Sequence, residues 1–566
     1  MREGPSALQL RVAGLSWRTP RTVLLQDSGA LTARDGQCIG IIGPPGSGKS
    51  AFLHLLAGHR LHGGRVLATR PVGSVRINGR ERCARCWFRH TRLVCSQDAL
   101  VPSLTWRQAL LLEAQLLGLP PSTTTSTEPA IQDTLLAILL ADPVLGARRT
   151  IQFGLARALL AQPRILFADE LSGLVTDAKA LSTLLRAVRA HAQKPCATSC
   201  TCIGSTPSRN MAFIALDAVA LHLPGLELGT LFDQVMLTTR SQRVLFTGTL
   251  DEAVTRFGSL TALLAAMDAE SDPGADATDW PVPSAKPPPP PPAIPPIQCH
   301  TRHIAPHREL WLLLRAECCK LGNRPRHWTR VALQRILLFT LLSFIFHQPP
   351  TRTALFGLFF FLPINQTTQV LLLTATEGFP ELASTRAARF RTAHRPWTLL
   401  GAKLVLGIGL NWLPALAYLP ALFFIAGFRA KQHFCLFLLA NLASIAATVP
   451  LGLLVATAST DPAQRDLVLF LVTTLVVAFS GIHTAANYQL TWLLRWAQYL
   501  SPAYGLFAIS LQLEYRPDEL FVLLRLGTFS LSPAALFGLL LGLLLLFTAI
   551  AALLLHRTTA PMRILL

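Results

Sequence analysis

Gly43-Pro44-Pro45-Gly46-Ser47-Gly48-Lys49-Ser50 is a complete G-x-x-x-x-G-K-S loop, and its flanks decide how it is read. Before it runs the apolar stretch Cys38-Ile39-Gly40-Ile41-Ile42. After it comes Ala51-Phe52-Leu53-His54-Leu55-Leu56-Ala57, which reads as a helix. Strand, glycine-rich loop and helix in that order make a phosphate-binding loop rather than a turn at a sheet edge. Gly43, Gly46 and Gly48, with Ser47 between them, let backbone N–H groups crowd a phosphate. The helix N-terminus adds a partial positive charge there. Lys49 is then expected to reach the β- and γ-phosphates of ATP, and Ser50 to hold Mg²⁺.

Downstream, Arg164-Ile165-Leu166-Phe167-Ala168-Asp169-Glu170 reads as a buried strand ending in two acids, 120 residues after Lys49. A central parallel strand is apolar throughout because both of its faces are covered. With a phosphate loop in the same sheet, Asp169 is expected to bind Mg²⁺ and Glu170 to orient and deprotonate the attacking water. Alone, the acid pair is a weak signal, since a strand-ending pair often caps a following helix. Residues 72–79 alternate and end in Asn78-Gly79, a hairpin signal. Residues 131–142 and 151–161 read as helices.

The chain has 566 residues, 51% hydrophobic and 14% charged, with a net charge of +20. That length needs two or more cores. The apolar residues are unevenly distributed. Up to about residue 300 the pattern is that of a soluble α/β protein, and beyond about 328 apolar runs near bilayer-spanning length follow one another. Basic residues cluster in the first half and beside those runs, the distribution the positive-inside rule describes, so the charge implies membrane and no nucleic acid. Met1–Leu10 lacks an apolar core, so no cleavable signal peptide is expected. Cys83-x-x-Cys86 and the group Cys196, Cys200, Cys202 lack a second pair at zinc spacing, and read as reduced thiols.

These patterns divide the chain into an ATP-binding domain at 1–270, a proline-rich linker at 271–307 and a membrane domain at 308–566. Pro281, Pro283 and the six prolines at 287–292 favour an extended spacer. Residues 308–321 are expected to form an amphipathic helix at the cytosolic surface, with Trp311 and Leu312–Leu314 against lipid and Arg315 and Lys320 outward. Six spans are expected, at about 330–347, 353–375, 398–426, 434–458, 467–482 and 533–555. The fifth is short, and residues 483–530 suggest re-entrant or interfacial helices. Arg386, Arg389, Arg391 and Arg395 put the 377–396 loop in the cytosol, and Arg557 and Arg563 put the C-terminus there too. In the second span, Asn365-Gln366-Thr367-Thr368-Gln369 either line a cavity or bond neighbouring helices.

The chain resembles ATP-binding-cassette transporters, and more narrowly the G (White) subfamily of half-transporters, whose ATPase domain precedes six spans. Cys95-Ser96-Gln97-Asp98 with Leu104-Thr105-Trp106-Arg107-Gln108-Ala109-Leu110 is similar to the Q-loop and its continuation. The resemblance gives Gln97 the role of sensing Mg²⁺ and the membrane domain. Val219-Ala220-Leu221-His222-Leu223-Pro224, then Leu231-Phe232-Asp233, resembles the switch segment, so His222 is expected at the γ-phosphate. Phe479-Ser480-Gly481 and Trp496–Gly505 resemble the segment after the fifth span. Gly378-Phe379-Pro380-Glu381-Leu382 and the flank of the phosphate loop look nearest the sterol-exporting members. The implied architecture is a mixed-sheet P-loop ATPase domain with a helical subdomain, followed by an all-α six-span membrane domain.

The departures from the family pattern matter as much. Where the signature L-S-G-G-E/Q should stand, just before Ile151-Gln152-Phe153-Gly154, this chain has Leu145-Gly146-Ala147-Arg148-Arg149. After Glu170 it has Leu171-Ser172-Gly173-Leu174-Val175-Thr176-Asp177 in place of P-T-S-G-L-D. About 20 extra residues near 190–212 precede His222, and the N-P-A-D-F segment before the membrane half is replaced by the proline linker. Two readings follow from the resemblance. One is an ATP-driven exporter subunit for a hydrophobic substrate (lipid, sterol or drug-like), working with membrane lipids around it and a different half-transporter as partner. The other is an ATP-binding subunit of little or no catalytic activity that supports a competent partner. A soluble P-loop protein with a simple anchor needs only one span.

Overall fold

The computed structural model describes residues 9–18, 23–25, 30–57, 72–77, 80–81, 87, 91–94, 104–117, 146–161, 163–169, 178–193, 209–217, 228–268, 304–347, 352–387, 394–428, 431–459, 461–481, 495–516 and 531–559. These form two compact units, one running to Ile304 and one from Ala305 to Ala560, with residues 101–108 counted with the second.

The first unit is built on two sheets. β1 (Gln9–Arg18) pairs antiparallel with β2 (Val23–Leu25), β3 (Ala30–Arg34) and β5 (Val72–Ile77). β5 returns to β6 (Arg80–Glu81) with Ile77 opposite Arg80, closing the two-residue connection that Asn78-Gly79 signals. The second sheet has the order β11-β10-β4-β9-β8-β7. It comprises β4 (Cys38–Gly43), β7 (Thr91–Val94), β8 (Ile165–Ala168), β9 (Met211–Asp217), β10 (Gln234–Thr238) and β11 (Val244–Gly248). Only β11 runs antiparallel to its neighbour. Every residue of β4 and β8 is buried, which explains why both strands read as unbroken apolar runs.

The helices of this unit are α1 (Lys49–Ala57), α2 (Trp106–Leu116, its first three residues counted with the second unit), α3 (Gly146–Leu160), α4 (Ala178–Gln193), α5 (Leu228–Leu231), α6 (Leu250–Phe257) and α7 (Leu260–Asp268). α1 fills one face of the large sheet, with Phe52, Leu53, Leu55 and Leu56 in a core shared with Ile39, Ile41, Phe167 and Phe213. α4 covers the other face through Leu181, Leu184, Leu185 and Val188. α3 begins five residues earlier than the helix expected at 151–161. Residues 131–142 lie outside the described residues.

The second unit is helical: α8 (Pro306–Asn323), α9 (Pro325–Ile345), α10 (Arg352–Ala387), α11 (Pro396–Ile425), α12 (Phe434–Ala458), α13 (Pro462–Ala478), α14 (Pro502–Glu514) and α15 (Pro533–Thr559). Among the described residues, five helical segments are long and apolar enough to cross a membrane: Pro325–Ile345, Leu355–Leu382, Pro396–Ile425, Lys431–Ala458 and Pro533–Arg557. The expected fifth span corresponds to α13, whose 17 residues fall short of that group. At 1.5 Å per residue it is about 25 Å long, against a hydrocarbon core of about 30 Å. α14 lies in the region expected to hold re-entrant or interfacial helices. It is neither exposed nor amphipathic: Pro502 to Leu511 are all buried, packed with α10, α12 and α15. Gly452 lets α12 approach α10, since a Cβ there would sit 1.8 Å from Thr374 Oγ1.

α8 corrects one expectation. Trp311 is exposed, but Leu312 and Leu313 are buried, and so are Glu309 and Glu317. Lys320 points inward as well. It joins Glu317, Glu381 of α10 and Lys403 of α11 in a closed square of charges, each lysine meeting both carboxylates. The helix therefore docks by Leu312, Leu313 and Ala316 together with Glu309, Glu317 and Lys320, polar residues that an amphipathic reading assigns to water.

Of the polar run in α10, Gln366 bonds neighbouring helices, while Asn365 bonds back to Phe361 of its own helix. Gln366 Nε2 donates to the Asn441 carbonyl (3.1 Å), and its Oε1 accepts from Tyr418 (3.2 Å). Sequence reading passed over Arg335 of α9. Its guanidinium is buried and donates to Asn411 Oδ1 and to the Gln369 carbonyl. Such partners are what an intramembrane cation needs.

Candidate nucleotide site

β9 pairs in parallel with both β4 and β8, so the C-terminal ends of these three strands lie together. Ligands of open α/β sheets bind at that edge. β4 ends at Gly43, opposite Asp217 at the end of β9, and Asp169 follows directly on β8.

The loop turns into α1 with Gly46 at φ 82° and Gly48 at φ 87°. Those left-handed conformations are natural to glycine. Gly43 is needed for space, because a Cβ there would lie 2.0 Å from Thr238 Oγ1. Thr238 also ties the loop to β10 through a 2.9 Å hydrogen bond with Ser47 Oγ.

Lys49 opens α1 and is buried. Its Nζ donates to the carbonyl oxygens of Gly43 and Pro44, each at 2.7 Å, and pairs with Asp217 Oδ1 at 3.1 Å. Burial dominates its electrostatics and lowers its pKa, while Asp217 and, more weakly, Asp169 pull the other way. Ser50 Oγ donates to Asp169 Oδ1 at 3.0 Å. The other oxygen of Asp169 lies 3.7 Å from His54 Nε2, and its backbone N–H is held by the Val94 carbonyl at 2.8 Å.

A hydroxyl and a carboxylate side by side are hard oxygen donors of the kind Mg²⁺ takes alongside phosphate and water. At Gly46 an added Cβ would meet nothing within 4 Å, so the loop backbone is open where phosphate must approach. The residues present therefore fit Mg²⁺ and a nucleotide. Ser50 and Asp169 would hold the metal, which would neutralise charge on the phosphates.

The structure brings Gly43, Gly46, Ser47, Gly48, Lys49, Ser50 and Asp169 together. Gln97, Glu170 and His222 lie outside the described residues, as do Leu145, Cys83, Cys86, Cys196, Cys200 and Cys202. Gly146 to Arg149 form the first turn of α3. That helix is tied to α2 by Arg157 and Glu113, 3.3 Å apart. Asp233, part of the switch-segment match, is structural: it accepts from the Cys38 N–H at 2.7 Å and from Arg189 at 3.1 Å. Burial first, and Asp233 second, push the Cys38 thiol up to about 12, which makes it inert.

Asp217 is the site residue that sequence reading missed. The strand between β4 and β8 ends there, five residues before His222, and its residues 211 and 212 belong to the stretch expected as an insertion.

In the membrane unit a cavity of about 190 Å³ borders the charge square on one side and Leu406, Leu410 and Leu453 on another. The four charges of the square satisfy one another, and Arg324 and Glu377, outside the square, also line the cavity.

Comparison with known proteins matches residues 27–173 to the family described as ABC transporter, and residues 308–515 to the ABC-2 type transporter family. The chain is 29% identical over 253 residues to ABC transporter G family member 25 of Arabidopsis thaliana, covering 42% of this chain and 34% of that protein. It is 29% identical over 229 residues to G family member 1 of Petunia hybrida, covering 38% and 31%. Against G family member 51 of Oryza sativa it is 26% identical over 223 residues, covering 37% and 14%. The chain thus spans about a third or less of the length of these relatives. A solved ATP-binding subunit of an ABC transporter is 20% identical with a TM-score of 0.34, covering 46% of this chain and 99% of its own. A P-loop ATPase domain followed by an ABC-2 membrane domain, with G-family relatives, places this chain in the ATP-binding-cassette transporter family, in its G subfamily.

Proposed function

We propose that this chain is one half of a dimeric transporter that uses ATP to export a hydrophobic molecule, of the lipid, sterol or drug-like class. The observation that carries the reading is the joint placement of Lys49, Ser50 and Asp169 at the C-terminal edge of a parallel sheet, in a chain whose described residues also include five helices long and apolar enough to cross a membrane. Lys49 and the loop backbone bind phosphate, and Ser50 with Asp169 places Mg²⁺. Glu170 orients and deprotonates water, Gln97 senses the metal and the membrane domain, and His222 contacts the γ-phosphate. The ATPase domain faces the cytosol, and the arginines from Arg386 to Arg395, at and beyond the end of α10, lie on the same side of the membrane; the stretch expected as a loop from 377 is helical to Ala387. A mostly apolar membrane interior favours a hydrophobic substrate over an ion or sugar, because a charge at mid-membrane costs about 2.5–3.5 kcal/mol on insertion scales.

A second reading, a subunit that binds ATP while a partner performs the hydrolysis, draws on one specific feature: the first turn of α3 carries Gly146-Ala147-Arg148-Arg149 instead of the family signature.

The experiment is ATP-dependent movement of fluorescent lipid and sterol probes into inside-out vesicles from cells expressing this chain with candidate partner halves. Uptake with one partner, lost in Lys49→Ala, is the expected result. Uptake unaffected by Lys49→Ala rejects the exporter reading.

A further inference from the structure

We propose that Asp217 is an internal competitor for nucleotide: its carboxylate holds the Lys49 ammonium where phosphate must bind, and ATP enters by exchanging with it. The inference rests on the nucleotide-site reading above.

A lysine ammonium has three N–H donors and accepts nothing. All three have acceptors here: Gly43 O, Pro44 O and Asp217 Oδ1. No donor is left for a phosphate oxygen, so binding has to release at least one of them. Two of the acceptors are backbone of the loop itself. The third is a side chain that is 28% exposed, against 9% for Lys49, so Asp217 can turn to water while Lys49 stays.

The placement comes from the sheet. Asp217 is paired in register with Gly43, so the end of β9 delivers its carboxylate beside the loop. Among the described residues, the charged and titratable groups around Lys49 are Asp217, Asp169 and, beyond Asp169, His54. Two carboxylates thus surround one lysine before any phosphate arrives. An incoming phosphate meets a filled lysine and a like charge within a few ångströms, an arrangement that costs affinity at short range and low dielectric. In the nucleotide-free chain the same pair keeps a buried ammonium from being left without a counter-charge.

Zero-length carbodiimide coupling of the full-length chain in lipid nanodiscs tests the exchange without any substitution. An amide between the Asp217 carboxyl and Lys49 Nζ, found by mass spectrometry of peptides, is expected without nucleotide and is expected to fall at least fivefold with saturating ATP and Mg²⁺. No Lys49–Asp217 product, or one equally abundant at saturating ATP, overturns the proposal. In parallel, Asp217→Asn is expected to bind ATP at least threefold more tightly than the native chain. A folded Asp217→Asn with unchanged or weaker affinity also overturns it, and if that variant does not fold the coupling result decides. Failure of the site reading looks different: the native chain would not photolabel with azido-ATP, or Lys49→Ala would label as strongly as the native chain.

Discussion

Ser50 and Asp169 meet at 3.0 Å although 119 residues separate them, because α1 starts at the end of β4 and β8 ends beside it with only β9 between. If that pair holds Mg²⁺, Asp169→Asn removes one charged oxygen donor and leaves the phosphate loop intact. Azido-ATP labelling in the presence of a chelator is then expected to match the native chain, while the gain on adding Mg²⁺ falls tenfold or more. A full Mg²⁺ response in the variant would rule Asp169 out as a ligand. Much of this site is readable in the sequence, since the loop glycines, Lys49, Ser50 and Asp169 sit in patterns that local chemistry enforces. Asp217 carries the same signal as Asp169, an apolar run ending in an acid, Met211 to Asp217. The motif match at His222 lies five residues further on and points away from it. A motif match locates residue types in the chain, but register in the sheet settles which side chain faces the loop.

Among the elements, α8 shows where periodicity runs out. Its sequence alternates charge and grease as a surface helix does, yet Glu317 and Lys320 are inward and Trp311 is outward. Charge pairing with α10 and α11 overrides the amphipathic pattern, and those partners, Glu381 and Lys403, lie more than 60 residues away in sequence. Pairing at that distance leaves no local signature. The square predicts strong coupling. Glu381→Gln leaves two buried lysines sharing Glu317, and breaking a buried pair costs about 3–5 kcal/mol. A clear loss of thermal stability in detergent is expected. The double variant Glu381→Gln with Lys403→Met should recover much of it, because the remaining pair is again balanced. Additive losses in the double variant would show that the four charges do not act as a unit. The spans were legible for a different reason: bilayer thickness imposes length and apolarity directly on the sequence. The exceptions are α13, at the lower limit of length, and α14, whose apolar character comes from burial among α10, α12 and α15.

At the scale of the whole molecule, the proposed function turns on what completes the ATPase. In the cassette family each hydrolytic site joins one chain's phosphate loop to the other chain's signature. This chain brings the loop with Lys49, Ser50 and Asp169 in place, and in its signature position the first turn of α3 reads Gly146-Ala147-Arg148-Arg149. The serine hydroxyl and paired glycine backbone that the family uses to hold a γ-phosphate are missing from that sequence. On the proposed reading, two copies of this chain would make two defective sites. A partner half with an intact signature would complete the site at this chain's loop, leaving the other degenerate. A cation can stand in for part of such a cradle, as an arginine finger does in other P-loop enzymes, so Arg148 and Arg149 give the homodimer one route to activity. The measurement is ATPase turnover in lipid for the chain alone and co-expressed with a G-family partner. Turnover is expected only in the mixed dimer and is expected to vanish when the partner's signature serine is replaced. Robust hydrolysis by this chain alone, abolished by Glu170→Gln and by Arg148→Ala with Arg149→Ala, would mean that the arginines have replaced the signature and that no second kind of subunit is required.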